Sequence, residues 1–177
     1  MTLNLTKEQQ KRLGFLQELA NKYGDFRVNI LFEDKGKTHS SKWHSVMKCW
    51  ESDKGLWFLS QANQRTLLPH EIILDLDGIK DIKELWQICE TLTKAKENFI
   101  AYHSGGKGYH IHIYATELLF YDKKTREQLR EDIIRGEFKE QADIQLKSEN
   151  HTIQIENTPH RKTLRKKTRL SGNWELL

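Results

Sequence analysis

Hydrophobic and polar positions alternate with two distinct periods along the chain, and the period changes often. Between Thr6 and Tyr23 the apolar residues Leu13, Leu16, Leu19, Ala20 and Tyr23 recur at helical spacing, which predicts an amphipathic helix. Thr6 and Gln9 form a candidate capping box, and Gly24 is a natural stop. Phe26–Glu33 alternates as a strand does, and 34–37 reads as a turn. From His39 to Ser52 no period dominates. Leu56–Ser60 reads as a short strand, followed by a loop through Pro69.

The second part of the chain is more regular. Glu71 to Gly78 predicts a strand, Ile82–Lys96 a helix with Ile82, Leu85, Trp86, Cys89 and Leu92 inward, and Phe99–Tyr102 a strand. Ser104–Gly108 is a tight loop leading to a strand over Tyr109–Tyr114. A helix over Thr125–Arg135, a short Ala142-Asp143-Ile144 piece and a strand over Thr152–Ile155 complete the pattern. Strands and helices mix without regular βαβ alternation, so the predicted class is α+β. A chain of 177 residues suits a single domain, 1–177, in which 1–65 support and 66–177 carry the chemistry.

The stretch Ile72-Ile73-Leu74-Asp75-Leu76-Asp77-Gly78 is the first candidate for chemistry. Side chains alternate along a strand, so Asp75 and Asp77 share a face. Two adjacent carboxylates repel unless a cation lies between them, and Mg²⁺ characteristically binds through one or two carboxylates plus substrate phosphates. The second candidate is Ser104-Gly105-Gly106-Lys107-Gly108-Tyr109-His110-Ile111-His112. Its glycines let backbone N–H groups approach an anion, and Lys107 and Ser104 add a charge and a hydroxyl. The loop joins two strands and opens no helix, so it is neither a Walker A loop nor a Rossmann turn. His110 and His112 alternate onto one face and could hold a metal or a phosphate. A looser trio, His39, His44 and Cys49, matches no known metal-site spacing.

Charge and cysteine content narrow the class. The net charge is only +4, so its distribution matters more than its sum. Arg161, Lys162, Arg165, Lys166, Lys167 and Arg169 form an acid-free run that suits a polyanionic partner. Arg165, Lys167 and Arg169 would share one face of a strand. Cys49 and Cys89 form no paired motif, so neither a disulfide framework nor a Cys-rich zinc site is expected. No apolar run approaches a bilayer span and Met1–Thr6 carries no signal pattern, which makes the cytoplasm the expected location and excludes a membrane partner.

In order, Leu74-Asp75-Leu76-Asp77, Ser104-Gly105-Gly106-Lys107-Gly108-Tyr109-His110, and Asp143 followed by Pro159-His160-Arg161-Lys162-Thr163 resemble the motifs of the archaeo-eukaryotic primase superfamily. The resemblance covers about residues 71–163. It implies an α+β primase-type core of mixed sheets with an RRM-like catalytic half, here without the zinc element of small primase subunits. It also implies a template-directed nucleotidyltransferase that joins nucleotides from triphosphates on single-stranded DNA, using two Mg²⁺ or Mn²⁺ ions. Asp75, Asp77 and Asp143 are then the metal-binding acids, with Glu156 a rival for the third place. Ser104, Gly105, Lys107, Gly108, His110, His160, Arg161 and Lys162 would contact the incoming nucleotide, and Arg165, Lys167 and Arg169 the template. A large primase subunit, a helicase or an accessory domain would be the protein partner. The third motif departs from the family: Gln154-Ile155-Glu156-Asn157 stands where a basic residue is usual, and Pro159 directly precedes His160.

Two other readings fit parts of the pattern. Leu74-Asp75-Leu76-Asp77-Gly78 also resembles the first motif of haloacid-dehalogenase-type phosphatases, with Asp75 as nucleophile and Asp77 as acid/base, although seventy residues precede it and no later acidic pair follows. A non-catalytic nucleic-acid-binding module could use the basic run with Trp43, Trp50 and Trp57, but would not need three spaced acids beside a phosphate loop.

Overall fold

A computed structural model describes residues 3–77, 79, 81–138, 142–160 and 162–173, with the side chains of 144 and 145 left out. The chain packs as two compact units. The first runs to Thr66 and takes in Ile153–Ile155; the second comprises Leu67–Thr152 and, among the described residues, 156–173. None of the described helices is long and apolar enough to cross a membrane.

In the first unit, α1 (Lys7–Tyr23) starts at the expected capping box: the Thr6 hydroxyl accepts from the Gln9 N–H, and the Gln9 side chain accepts from the Thr6 N–H. Its buried Leu13, Leu16, Leu19 and Ala20 face α2 (Val46–Cys49) and α3 (Asp53–Gln61). The expected strand at 26–33 is two strands, β1 (Arg27–Asn29) and β2 (Leu31–Asp34). Ile30 separates them because its N–H is taken by the Ser41 hydroxyl and the Leu31 N–H by the Asn63 side chain. β2 returns as β3 (Lys37–Ser40) through Lys35-Gly36, both at positive φ, as a two-residue hairpin turn requires. β4 (His44–Ser45), β1, β5 (Gln64–Thr66) and β9 (Thr152–Gln154) form a four-stranded sheet in that order. The strand expected at Leu56–Ser60 is instead the body of α3. Ser52 caps it by accepting from the Gly55 N–H and Asp53 sits in the first turn, and these local signals outweigh the β-like aromatic content of Trp57-Phe58.

The second unit is built on a fully antiparallel sheet of β10 (Thr168–Gly172), β7 (Phe99–His103), β8 (Tyr109–Tyr114) and β6 (Glu71–Leu76), in that order. The two faces of this sheet have opposite chemistry, and the register shows why. Ile72, Leu74 and Leu76 lie opposite Ile113, Ile111 and Tyr109, and β7 adds Phe99 and Ala101 to the same face. These residues pack with Leu85, Cys89 and Leu92 of α4 (Ile82–Lys94) and Ile134 of α5 (Lys123–Glu137) into one apolar core. The other face carries Glu71, Ile73 and Asp75 opposite Tyr114, His112 and His110, with Tyr102 opposite His110. Strand alternation thus places every polar candidate of β6 and β8 on one side. Fully buried Arg130 ties α5 to the start of β6, donating to the carbonyls of Glu71, Leu68 and Pro69 and pairing with Glu149. The class is α+β, as the pattern predicts.

Candidate functional site

The polar face gathers the acids first. β6 ends at Leu76, so Asp75 is in the strand and Asp77 in the turn beyond it. Gly78 lies outside the described residues. Asp143, just before the 3-10 turn Ile144–Lys147, reaches the same place: its N–H donates to the Asp75 carbonyl at 3.2 Å. Burial first, and then the nearby charges of Asp77 and Asp143, raise the Asp75 carboxyl to about 6. Lys167 opposes them. Glu156, the rival acid, lies elsewhere, buried beside His112 and Lys167.

Asp75 Oδ1 is buried without a hydrogen-bond partner, and so is Nδ1 of His110. The His110 Nε2 lies 3.5 Å from Asp75 Oδ1, but no hydrogen bond forms between them. A buried carboxylate oxygen left without a donor is unfavourable in the protein alone and suited to a cation. With two further carboxylates acting on it, this corner fits a divalent ion bound through oxygen. Burial holds His110 well below the ordinary imidazole range, and the Lys167 charge and the neighbouring imidazoles add to the effect. His110 is therefore neutral at pH 7.

The glycine loop closes beside the acids. The Ser104 N–H donates to the Gly108 carbonyl, and the Gly106 N–H donates to the Ser104 hydroxyl. Gly105 has φ +81°, and a Cβ there would come within 2.5 Å of the Arg165 carbonyl. At Gly108 a Cβ would lie 2.3 Å from Asp77 Oδ1, so glycine is what lets the loop approach this acid. Lys107 is exposed at the loop's outer edge.

A hairpin over 156–167 covers the loop. Asn157 N–H donates to the Lys167 carbonyl, Lys167 N–H to Thr158, and His160 N–H to Arg165, while Leu164 N–H closes the turn onto His160. Thr163 Oγ1 donates to the Gly105 carbonyl, joining hairpin to loop. The His160 Nε2 and Ser104 Oγ converge on Gly106, lying 3.2 and 3.4 Å from where its Cβ would be. Arg161 lies outside the described residues; Lys162 is exposed on the turn.

The expected common face of Arg165, Lys167 and Arg169 does not form. Arg165 and Arg169 are exposed, whereas Lys167 is fully buried. Lys167 belongs to the hairpin, opposite Thr158, and β10 starts only at Thr168, so strand alternation does not run through the three positions. Its ammonium lies 2.8 Å from His112 Nε2, 3.8 Å from Glu156 Oε1 and 4.8 Å from the centre of the Tyr102 ring. His112 Nδ1 lies 2.7 Å from Glu71 Oε1. An ammonium only donates, so Nε2 accepts and Nδ1–H donates to Glu71. Burial and the Lys167 charge lower His112 to about 4 against the pull of Glu71 and Glu156. Glu71, His112 and Glu156 offer donor atoms all within 4.8 Å of one another, a set capable of holding a metal ion. Sequence reading placed His112 on the right face but did not find Glu71 or Arg130; the only signal for either was a charged residue at a position the pattern makes internal.

No family model matches the chain, and no curated protein sequence matches it. Among solved structures it is similar to the polymerase domain from Mycobacterium tuberculosis Ligase D in complex with DNA, with 12% identity and a TM-score of 0.41 over 94% of this chain and 86% of that one.

Proposed function

We propose that the chain is a template-directed nucleotidyltransferase, a primase-polymerase core that adds nucleotides from triphosphates along single-stranded DNA. The observation that carries this reading is the convergence of two kinds of site. Asp143 meets the Asp75 strand end, while the glycine loop that abuts Asp77 is itself closed by His160. An acid cluster alone is a common surface feature, and a glycine loop alone is a turn. Carboxylates for cations beside hydroxyl, imidazole and ammonium donors for phosphates suit a triphosphate carried by metal.

Asp75, Asp77 and Asp143 would hold Mg²⁺ or Mn²⁺, which when bound stabilises the charge that develops on phosphoryl oxygens during transfer. The protein's own groups do the rest. Ser104 already accepts from Gly106, which leaves its O–H to donate outward. His160 Nδ1 faces the N–H groups of Lys162 and Thr163 at 3.4 Å, which favours the tautomer with the proton on Nε2, toward the loop. Lys107 and Lys162 supply exposed ammonium groups for phosphate oxygens. Neutral His110, beside Asp75, accepts or donates a hydrogen bond at the metal side without adding a charge that would compete with the cation. Arg165 and Arg169 remain the exposed candidates for template phosphates.

Primer synthesis and primer extension on single-stranded templates, with ribo- or deoxynucleotides and with Mg²⁺ or Mn²⁺, test the reading. Incorporation by the wild type and its loss, by ~10²-fold or more, in Asp75→Asn and Asp143→Asn is expected. Glu156→Gln is expected to keep the acid corner intact. Undiminished incorporation by Asp143→Asn would remove it from the site, and no incorporation by the wild type in any combination would overturn the proposal.

A further inference from the structure

The polar face holds a second cluster, deeper than the acids and used by none of the chemistry above. Glu71, His112, Glu156 and Lys167 are all buried, with Glu71, His112 and Lys167 at zero exposure. Carboxylates placed this deep need a compensating cation. Glu71, His112 and Glu156 are together a donor set capable of holding a metal ion. Here the ammonium of Lys167 reaches in from the hairpin and takes the place of that ion: 2.8 Å from His112 Nε2 and 3.8 Å from Glu156 Oε1. The Glu71 carboxylate orients the ring from its far nitrogen, as an outer carboxylate does for a metal-bound histidine. Glu71 is in turn fixed by the Leu68 N–H, which donates to Oε2.

We propose that His112 Nε2 and Glu156 form a closed cation site whose resident cation is the Lys167 ammonium, with Glu71 holding the ring from Nδ1, and that this internal clip fastens the 156–167 hairpin to the sheet. The site's ligand class is a borderline divalent ion, Zn²⁺ or Co²⁺, which the lysine excludes. Connectivity supports the second half of the proposal. Glu71 and His112 lie on neighbouring strands, whereas Glu156 and Lys167 are the two ends of the hairpin. The cluster is therefore where the hairpin base meets the sheet, and the far end of the same hairpin carries His160 and Thr163 to the glycine loop. Lys167 is thus a positioning residue.

The inference is independent of any nucleotide chemistry, and so is its test. Lys167→Ala opens the space of the ammonium, while Lys167→Met removes the charge and keeps most of the volume. Zn²⁺ binding is counted by titration for wild type, Lys167→Ala, Lys167→Ala/His112→Ala and His112→Ala. One additional equivalent in Lys167→Ala, lost again in the double variant, is the expected result, with wild type and His112→Ala binding equally. Amide exchange of Asn157, His160 and Lys167 is followed alongside. It should accelerate at least ~10-fold in Lys167→Met while β7 and β8 amides hold, and Zn²⁺ should restore protection in Lys167→Ala but not in Lys167→Met. A wild-type equivalent that depends on His112 would mean that the lysine is not the resident cation. Unchanged hairpin exchange in Lys167→Met, or no extra equivalent in a folded Lys167→Ala, would equally overturn the proposal. Should Lys167→Ala fail to fold, the wild-type against His112→Ala titration and the Lys167→Met exchange still decide it.

Discussion

At the scale of single residues, the polar face is governed by how few positive charges serve many acids. Asp75 shows the consequence. Its carboxyl is raised from 3.8 to about 6, by burial first and by Asp77 and Asp143 after it. A raised acid favours folding only while protonated. In the metal-free protein the stability linked to Asp75 is fully present below pH 3.8, declines as pH rises through about 6, and stays lost above it. The whole effect is on the order of 2–3 kcal/mol. Asp75→Asn should therefore match the wild type in thermal stability near pH 4 and exceed it at pH 7 in chelator, and Mn²⁺ should raise the melting temperature of the wild type alone. A wild type as stable as the variant at pH 7 without metal would contradict the burial argument. Lys167 teaches the converse lesson. In the sequence it is one cation in a run of six, Arg161 to Arg169, and nothing local distinguishes it from Arg165. Only the pairing of Thr158 with Lys167 across the hairpin turns it inward, and that pairing joins residues whose partnership no periodicity encodes.

At the scale of elements, what was legible followed from period and caps. The Thr6 capping box, the strand from Ile72 to Leu76, the glycine loop and the strand carrying His110 and His112 all announce themselves locally, and all are found where the pattern puts them. Leu56–Ser60 was misread because five residues cannot separate a buried strand from a helical turn, and the Ser52 cap that settles it lies outside the run. Asp143 meets Asp75 through a long-range backbone bond, which no sequence pattern foretells. Elements also separate two kinds of glycine. Gly14 lies within α1 with nothing near its missing Cβ, so Gly14→Ala should stabilise the protein by ~0.5–1 kcal/mol, read as an increased urea midpoint. A loss would mean that an unseen neighbour fills that space. Gly105 and Gly108 behave oppositely. Gly105→Ala imposes a left-handed alanine worth ~1–2 kcal/mol plus a clash with the Arg165 carbonyl, and Gly108→Ala drives into Asp77. Both should lose triphosphate binding, whereas Gly106→Ala, 3.2 Å from the His160 ring and without positive φ, should lose much less. Equal binding by all three would show that the loop does not touch the ligand.

At the scale of the whole molecule, the net charge of +4 understates the basic surface, because the acids of the Lys167 cluster, Glu71 and Glu156, are buried. The exposed cations of the hairpin turn, Lys162, Arg165 and Lys166, stand together, around a Leu164 that is itself 75% exposed. An apolar side chain at the tip of a basic turn suits a strand that offers both phosphates and unstacked bases, as single-stranded nucleic acid does. Counterion release makes this testable without any assumption about chemistry. Each cation that meets a single-strand phosphate contributes ~0.7 to the slope of log affinity against log salt. Arg165→Gln with Lys166→Gln should flatten that slope by ~1.4, uniformly across template sequences, and leave triphosphate affinity nearly unchanged. Leu164→Ala should weaken binding at every salt concentration without altering the slope, because apolar contact with a base is not ionic. Lys94→Gln is the control: that side chain is 75% exposed and paired with Glu90 on α4, the helix that backs the apolar face of the sheet, so the slope should stay at the wild-type value. An unaltered slope in Arg165→Gln with Lys166→Gln, or an equal drop in Lys94→Gln, would show that the charge acts as a diffuse cloud and that the turn is not where the template lies.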